Sequence, residues 1–316
     1  MVSILEVTLI MEYLDCWNIE KLFNCFQIAL WTCLKKNIEP EILFINRFGL
    51  DYIDNKQFSI SEKIKPLILG DIKEVLDNLF GVIIDEINID ECFLRDSNNY
   101  DYIVNVDAYY CRWNPFYKKN HISHYFILKD ESYFDSERGF ICEDPYLMKK
   151  NVYLSVDCLK KGFLSGTRIY KNKKDRKYFI NKDVIKRYLF DSIDKKRLIY
   201  NYNQVINDLL NANHIEAIIE NFDAKLCTGI IVSKQISNNY VGVKRIIERA
   251  SDYSNGKELL IGKLEESSDI WKSINLHMIK LIYRSSQYER TCEVLIKLFR
   301  NLKNNDCDII DCFYGA

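Results

Sequence analysis

The chain has 316 residues, with 44 Lys and Arg against 45 Asp and Glu and a formal net charge of −1 at pH 7. With 48% apolar and 28% charged residues and only 4 Pro and 11 Gly, it reads as a globular protein with a sizeable core, in one large or two modest domains. The balance excludes a disordered chain and argues against a dedicated nucleic-acid binder, which would carry a strong basic excess.

The opening run MVSILEVTLIMEYLDCW carries no basic leader and meets Glu6, Glu12 and Asp15 well before 18 apolar residues. A membrane-spanning helix is thereby excluded there, and a secretory signal is not expected. The eleven cysteines are an odd number, scattered along the chain without a CxxC pair. Zinc ribbons and thioredoxin sites need that pair, so most thiols read as small core residues in a reducing cytoplasm.

Phe23–Lys36 places Phe26, Ala29, Leu30, Cys33 and Leu34 on one face of a helix, with Asn24 as its cap. Gly70–Phe80 predicts a second helix, opened by Asp71 and closed by Gly81. Val82–Ile89, Tyr102–Tyr110, His124–Lys129 and Gly139–Cys142 are short, β-branched or aromatic, and predict strands. Asp130–Arg138 between the last two reads as a hairpin connection. Past Leu154 the pattern turns helical, with helices over Asp183–Ile193, Leu198–Ala212, Val241–Ser251, Ile270–Ser285 and Cys292–Lys303. A polar, charged stretch near 165–180 sets the boundary between a first domain, 1–170, and a mostly helical second, 171–316.

Histidine is scarce: His121, His124, His214 and His277. Cys25 falls at a helix start, His124 at a strand start, and Asp144 in the turn after the next strand. A sulfur in the first helical turn sits in the positive end of the helix dipole, which favours thiolate. An imidazole in reach stabilises that thiolate and shuttles protons, and a carboxylate holds the imidazole tautomer. Taken by residue type alone, Cys25 also reads as a core thiol, as Cys33 does. Cys16 in LDCWN is a rival nucleophile. HxxxH and HxH spacings are absent, so no metal site is expected.

The run from Val106 to Tyr146, with Asp107, Tyr109, Tyr110, His124, Asp144 and Pro145, together with the helix opened by Cys25, resembles the butirosin-biosynthesis-H N-terminal family. The resemblance extends to the helical second half. It implies an α+β fold, with a papain-like cysteine-protease core built on an antiparallel sheet and a mostly helical C-terminal part. It also implies an acyltransferase that moves an acyl group from a carrier-protein thioester to an amine. Within the family, the Asn, Lys and Ile richness is most similar to members that form amide bonds between carrier-bound polyamide chains and a diamine in thioamide-antibiotic assembly.

On that resemblance, Cys25 is the nucleophile, His124 the proton carrier and Asp144 its orienting carboxylate. Asp107, Tyr109, Tyr110 and Trp113, beside Phe116 and Tyr117, are candidates for a substrate pocket that excludes water. Asn18, Gln27 and the Cys25 backbone N–H are candidate oxyanion donors, each such donor contributing about 3 kcal/mol. Lys171–Arg187 carries a net +6, and its Lys173, Lys174, Arg176 and Lys177 are candidates for docking an acidic acyl or peptidyl carrier protein. No cofactor is implied beyond the carrier's own phosphopantetheine arm, and neither nucleic acid nor membrane is an expected partner. The same triad would serve a cysteine peptidase or thioesterase, and a papain-like shell would also serve a non-catalytic binding protein.

Overall fold

The computed structural model describes residues 24–35, 38–93, 100–134, 137–171, 180–220, 227–250 and 256–315. Its elements, in chain order, are α1 (Cys25–Leu34), β1 (Arg47–Tyr52), α2 (Ile60–Lys63), β2 (Ile64–Ile68), α3 (Ile72–Phe80), β3 (Val82–Ile87), α4 (Ile89–Phe93), β4 (Asp101–Asp107), β5 (Ser123–Phe134), β6 (Glu137–Asp144), β7 (Lys149–Ser155), α5 (Val156–Gly162) and β8 (Phe163–Lys171). There follow α6 (Lys182–Tyr188), α7 (Lys195–Asn211), α8 (Thr228–Arg249), α9 (Lys257–Tyr283) and α10 (Tyr288–Gly315). The fold is mixed helix and antiparallel sheet. Among the described residues no helix is long and apolar enough to cross a membrane.

The chain divides into two compact units, one of residues 1–40 and 72–178, the other of 41–71 and 179–316. The last of the three divisions lies at 178/179. Residues 41–71, which linear order assigned to the first domain, fall instead in the second unit.

The first unit is a six-stranded sheet in the order β3-β8-β4-β5-β6-β7, every neighbouring pair antiparallel. Two expectations need correction here. Phe163–Lys171, read as part of the polar boundary, is strand β8, inserted between β3 and β4. Its Ser, Gly, Thr and Arg suggested a linker, but backbone pairing on both sides fixes it as a central strand. Asp130–Arg138, read as a connection, is mostly strand: Tyr133 pairs with Arg138 and Phe134 with Glu137. Most of its side chains are exposed, which removes the apolar alternation that marks a half-buried strand.

The alternation of strand side chains gives this sheet two distinct faces. Tyr102, Val104 and Val106 of β4, Phe126 and Leu128 of β5, and Phe140 and Cys142 of β6 build one core with Leu154 and Leu159. Across β4 and β5, on the opposite face, lies α1, over the buried Ile103 and Ile127. Asn24 opens that helix with a capping box: its Oδ1 accepts from Gln27 N at 2.8 Å, and Gln27 Oε1 accepts from Asn24 N at 3.1 Å. Helix α3 ends where Gly81, at φ +65°, donates its N–H to Asp77 O.

The second unit pairs the β1–β2 hairpin with α7, α8, α9 and α10. The helices predicted over Val241–Ser251, Ile270–Ser285 and Cys292–Lys303 overlap α8, α9 and α10, each of which starts earlier; α8 ends at Arg249 and α9 at Tyr283, and Ser251 lies outside the described residues. Phe48, Phe190, Tyr202, Tyr240, Trp271 and Phe299 fill the core. Gly242 on α8 is tight against it, because a Cβ there would overlap the Phe44 ring. On propensity alone Gly→Ala in a helix gains about 1 kcal/mol, but overpacking costs about 1–3 kcal/mol. Gly242→Ala is therefore expected to lower the thermal midpoint. Gly262→Ala on α9, with open space around it, is expected to raise it. Thermal melts of the two variants check the opposite signs.

Candidate active site

Cys25, His124 and Asp144 all lie in the first unit, and the structure brings them together. Cys25 is the first residue of α1, half-buried, directly after the Asn24 cap. The pairing of Leu128 with Cys142 puts even-numbered residues of β5 and β6 on one face, so His124 and Asp144 meet diagonally across the two strands. His124 Nε2 is 2.7 Å from Asp144 Oδ2. Cys25 lies close enough to bear on the ring's protonation, and with Nε2 engaged by Asp144 it is Nδ1 that is left for the sulfur.

Asp144 is 0% exposed. A buried carboxylate survives only when its oxygens are well bonded. Besides His124, Oδ2 accepts from Trp113 Nε1 at 2.8 Å, and Oδ1 accepts from Leu147 N at 3.1 Å. His124 is itself buried, and burial disfavours its charged form. The hydrogen bond and negative charge of Asp144, with Cys25 beside the ring, outweigh that cost and raise the ring to about 9. At neutral pH the imidazolium therefore faces the sulfur. Tyr146, half exposed, stands edge-on to the ring with centroids 6.1 Å apart. Sequence reasoning passed over Tyr146, although it follows the Asp144-Pro145 pair directly.

The other candidates separate by role. Trp113, expected to line a substrate pocket, buttresses the Asp144 carboxylate instead. Asp107 caps the 3-10 turn Ala108–Tyr110, its Oδ1 accepting from Tyr109 N at 3.0 Å and Ile122 N at 3.3 Å. Its Oδ2 pairs with His121 Nδ1 at 2.6 Å. Burial raises the Asp107 carboxyl, but His121 and the two backbone donors outweigh it and hold it below its ordinary value. Both oxygens are thus engaged, which leaves Asp107 a structural cap rather than an open amine receptor. Tyr109 stacks on His121, with centroids 4.4 Å apart, and Tyr110 packs beside Gly162 of α5. Tyr109 and Tyr110 also meet edge to face, with ring centroids 5.2 Å apart.

Gln27 closes the capping box, so its carbonyl is committed to the start of α1. Asn18, Cys16, Lys173, Lys174, Arg176 and Lys177 lie outside the described residues. The remaining basic residues of that stretch include Lys186 and Arg187, both exposed on α6.

Two other thiols of this unit, Cys33 and Cys111, are poor nucleophiles. Burial, then the nearby Asp101, pushes the Cys33 thiol well above its usual range. Burial, then Asp144, pushes Cys111 up to about 12. No group of three or more His, Cys, Asp or Glu among the described residues is placed to hold a metal ion. A nucleophilic sulfur, a protonated ring and a buried orienting carboxylate are what covalent acyl transfer needs. Neither any protein-family model nor any curated protein matches the chain.

Proposed function

We propose that the protein is an amide-forming acyltransferase of papain-like type, related to the butirosin-biosynthesis-H family, working in the cytoplasm on carrier-bound acyl chains of a peptide-like natural product. One observation carries this reading: Cys25 at a helix start lies beside the His124 ring, whose Nε2 is 2.7 Å from the buried Asp144 carboxylate. A helix laid on an antiparallel sheet, with the histidine at a strand start and the carboxylate at the end of the next strand, is the arrangement a papain-like core requires.

The chemistry runs in two halves. The Cys25 thiolate attacks the thioester carbonyl of the carrier's pantetheine arm, and the C–O π pair moves to oxygen. That pair returns as the pantetheine sulfur leaves, taking the His124 proton. The amine then attacks the acyl-enzyme and passes its proton to the neutral His124, and Cys25 leaves as thiolate, which restores the ion pair. Both halves share one tetrahedral geometry, so one set of donors serves both. Carrier-protein docking falls to the basic stretch Lys171–Arg187, through its charge.

The test is intact-protein mass spectrometry after mixing the protein with an acyl-loaded carrier protein, with and without a diamine. An acyl adduct is expected on wild type and on Cys16→Ala, absent from Cys25→Ala, and discharged to amide by the diamine. Discharge only to free acid would make the protein a thioesterase or peptidase. An adduct that persists on Cys25→Ala, or none on any form, would overturn the assignment of Cys25.

A further inference from the structure

The sheet face beneath α1 carries one polar residue that packing does not explain. Asn105 of β4 is 8% exposed, on the same face as the buried Ile103. Asparagine is a poor strand former, and a buried carboxamide on a core face is costly unless bonded. Its Oδ1 accepts from Ser123 Oγ at 2.7 Å. Its Nδ2 has no acceptor among the described residues and is not sealed from solvent.

Helix α1 runs along this face opposite in direction to β4. Near its far end, Cys33 feels the charges of Asp101, Lys129 and Glu143. At its start, Cys25 acts electrostatically on Tyr125, and the Phe26 ring meets the Tyr125 ring with centroids 5.2 Å apart. From Cys33 back to Cys25 the helix rises about 12 Å. From Asp101 to Asn105 the strand rises about 13 Å. Asn105 is thereby brought level with Cys25, a placement the register supports, since Asn105 pairs with Tyr125 on one side and Ser165 on the other. A carboxamide is planar, so the Ser123 hydroxyl that holds Oδ1 also sets the direction of Nδ2.

We propose that the Asn105 carboxamide is an oxyanion donor for acyl transfer at Cys25, held in orientation by Ser123, a role that rests on the acyl-enzyme proposed above. Asn105 supplies a side-chain donor beside the backbone N–H of Cys25. Negative charge develops on the thioester oxygen as the Sγ–C bond forms, and Nδ2–H is the group placed to meet it.

The experiment compares two reactions of the same sulfur. Acylation uses a hexanoyl N-acetylcysteamine thioester, in which the carbonyl oxygen becomes an oxyanion. Alkylation uses iodoacetamide, which displaces iodide at a methylene carbon and forms none. Asn105→Ala and the near-isosteric Asn105→Asp are expected to slow acylation on the order of 10²–10³-fold, while alkylation stays within about twofold of wild type. Ser123→Ala should show a smaller loss of the same kind. Acylation of both Asn105 variants at the wild-type rate overturns the proposal, as does an equal fall in the two reactions, which would mark a structural role. A wild type that is alkylated but never acylated at Cys25 removes the acyl-enzyme itself, an outcome distinct from either.

Discussion

Asp144→Ala is expected to slow acylation of Cys25 on the order of 10³–10⁴-fold and to destabilise the protein by about 3–5 kcal/mol. Both effects come from one buried carboxylate with three donors: His124 Nε2, Trp113 Nε1 and Leu147 N. Its removal leaves a buried ring without an anion and an indole N–H without an acceptor. Asp144→Asn separates geometry from charge, because an amide oxygen still accepts hydrogen bonds while the negative charge is gone. That variant is expected to keep the fold, to show a His124 ring titrating below about 9 by NMR, and to acylate more slowly than wild type. A pH signature follows. His124 is raised from 6.5 to about 9 against its burial, by Asp144 and Cys25, so the folded state holds the proton more tightly than the unfolded chain does. Its contribution to stability is complete below pH 6.5 and is lost as pH rises through 9. The urea midpoint of wild type should therefore fall across that window relative to Asp144→Asn. An Asp144→Asn midpoint that tracks wild type from pH 6.5 to 9, or an Asp144→Ala that acylates normally, would sink the role given to Asp144.

The grouping of Cys25, His124 and Asp144 was legible because each member sits at a local signal: Cys25 after an Asn cap, His124 at the head of an aromatic strand, Asp144 in a Glu-Asp-Pro turn. The roles of its neighbours were not legible. Trp113 was read as a pocket wall since an aromatic near a strand end carries no mark of its hydrogen-bond partner, and its partner is 31 positions away. Asp107 was read as a pocket residue because its grip on His121 and Ile122, 14 and 15 positions on, exists only once β4 and β5 pair. Asn105 was invisible, being one polar residue in a strand whose significance depends on which helix covers that face. At the level of the fold, long helices were recognised but shortened, since apolar periodicity fades where both sides of a helix are partly buried. Strand β8 was missed for a related reason: its Ser165, Gly166, Thr167 and Arg168 lack a hydrophobic pattern, and central backbone pairing leaves no trace in the composition.

Asp306→Ala is expected to destabilise the helical unit by about 3–5 kcal/mol, and Asp306→Asn to stabilise it at neutral pH. Asp306 of α10 is 0% exposed, with no cation paired to it among the described residues. Its Oδ2 accepts from the hydroxyls of Tyr202 and Tyr240, and its Oδ1 from Ser267 Oγ at 2.8 Å. Those three donors come from α7, α8 and α9, so this one side chain ties four helices together. Burial raises its carboxyl from 3.8 to about 6, against the three hydrogen bonds. The folded state therefore binds the proton at pH values where the unfolded chain has released it. Stability falls as pH rises from 3.8 to 6, by about 3 kcal/mol in all. An amide keeps an oxygen for the two tyrosines, turns Nδ2 toward a Ser267 hydroxyl able to accept, and carries no charge to desolvate. Asp306→Asn should accordingly exceed wild type by about 2–3 kcal/mol at pH 8, with the gap closing near pH 4. Alanine leaves the three hydroxyls without their shared acceptor at every pH. Urea unfolding of the three forms at pH 4 and pH 8 decides it: a gap between Asn and wild type that is absent at pH 8, or equally large at pH 4, would show that the buried charge is not what limits this core.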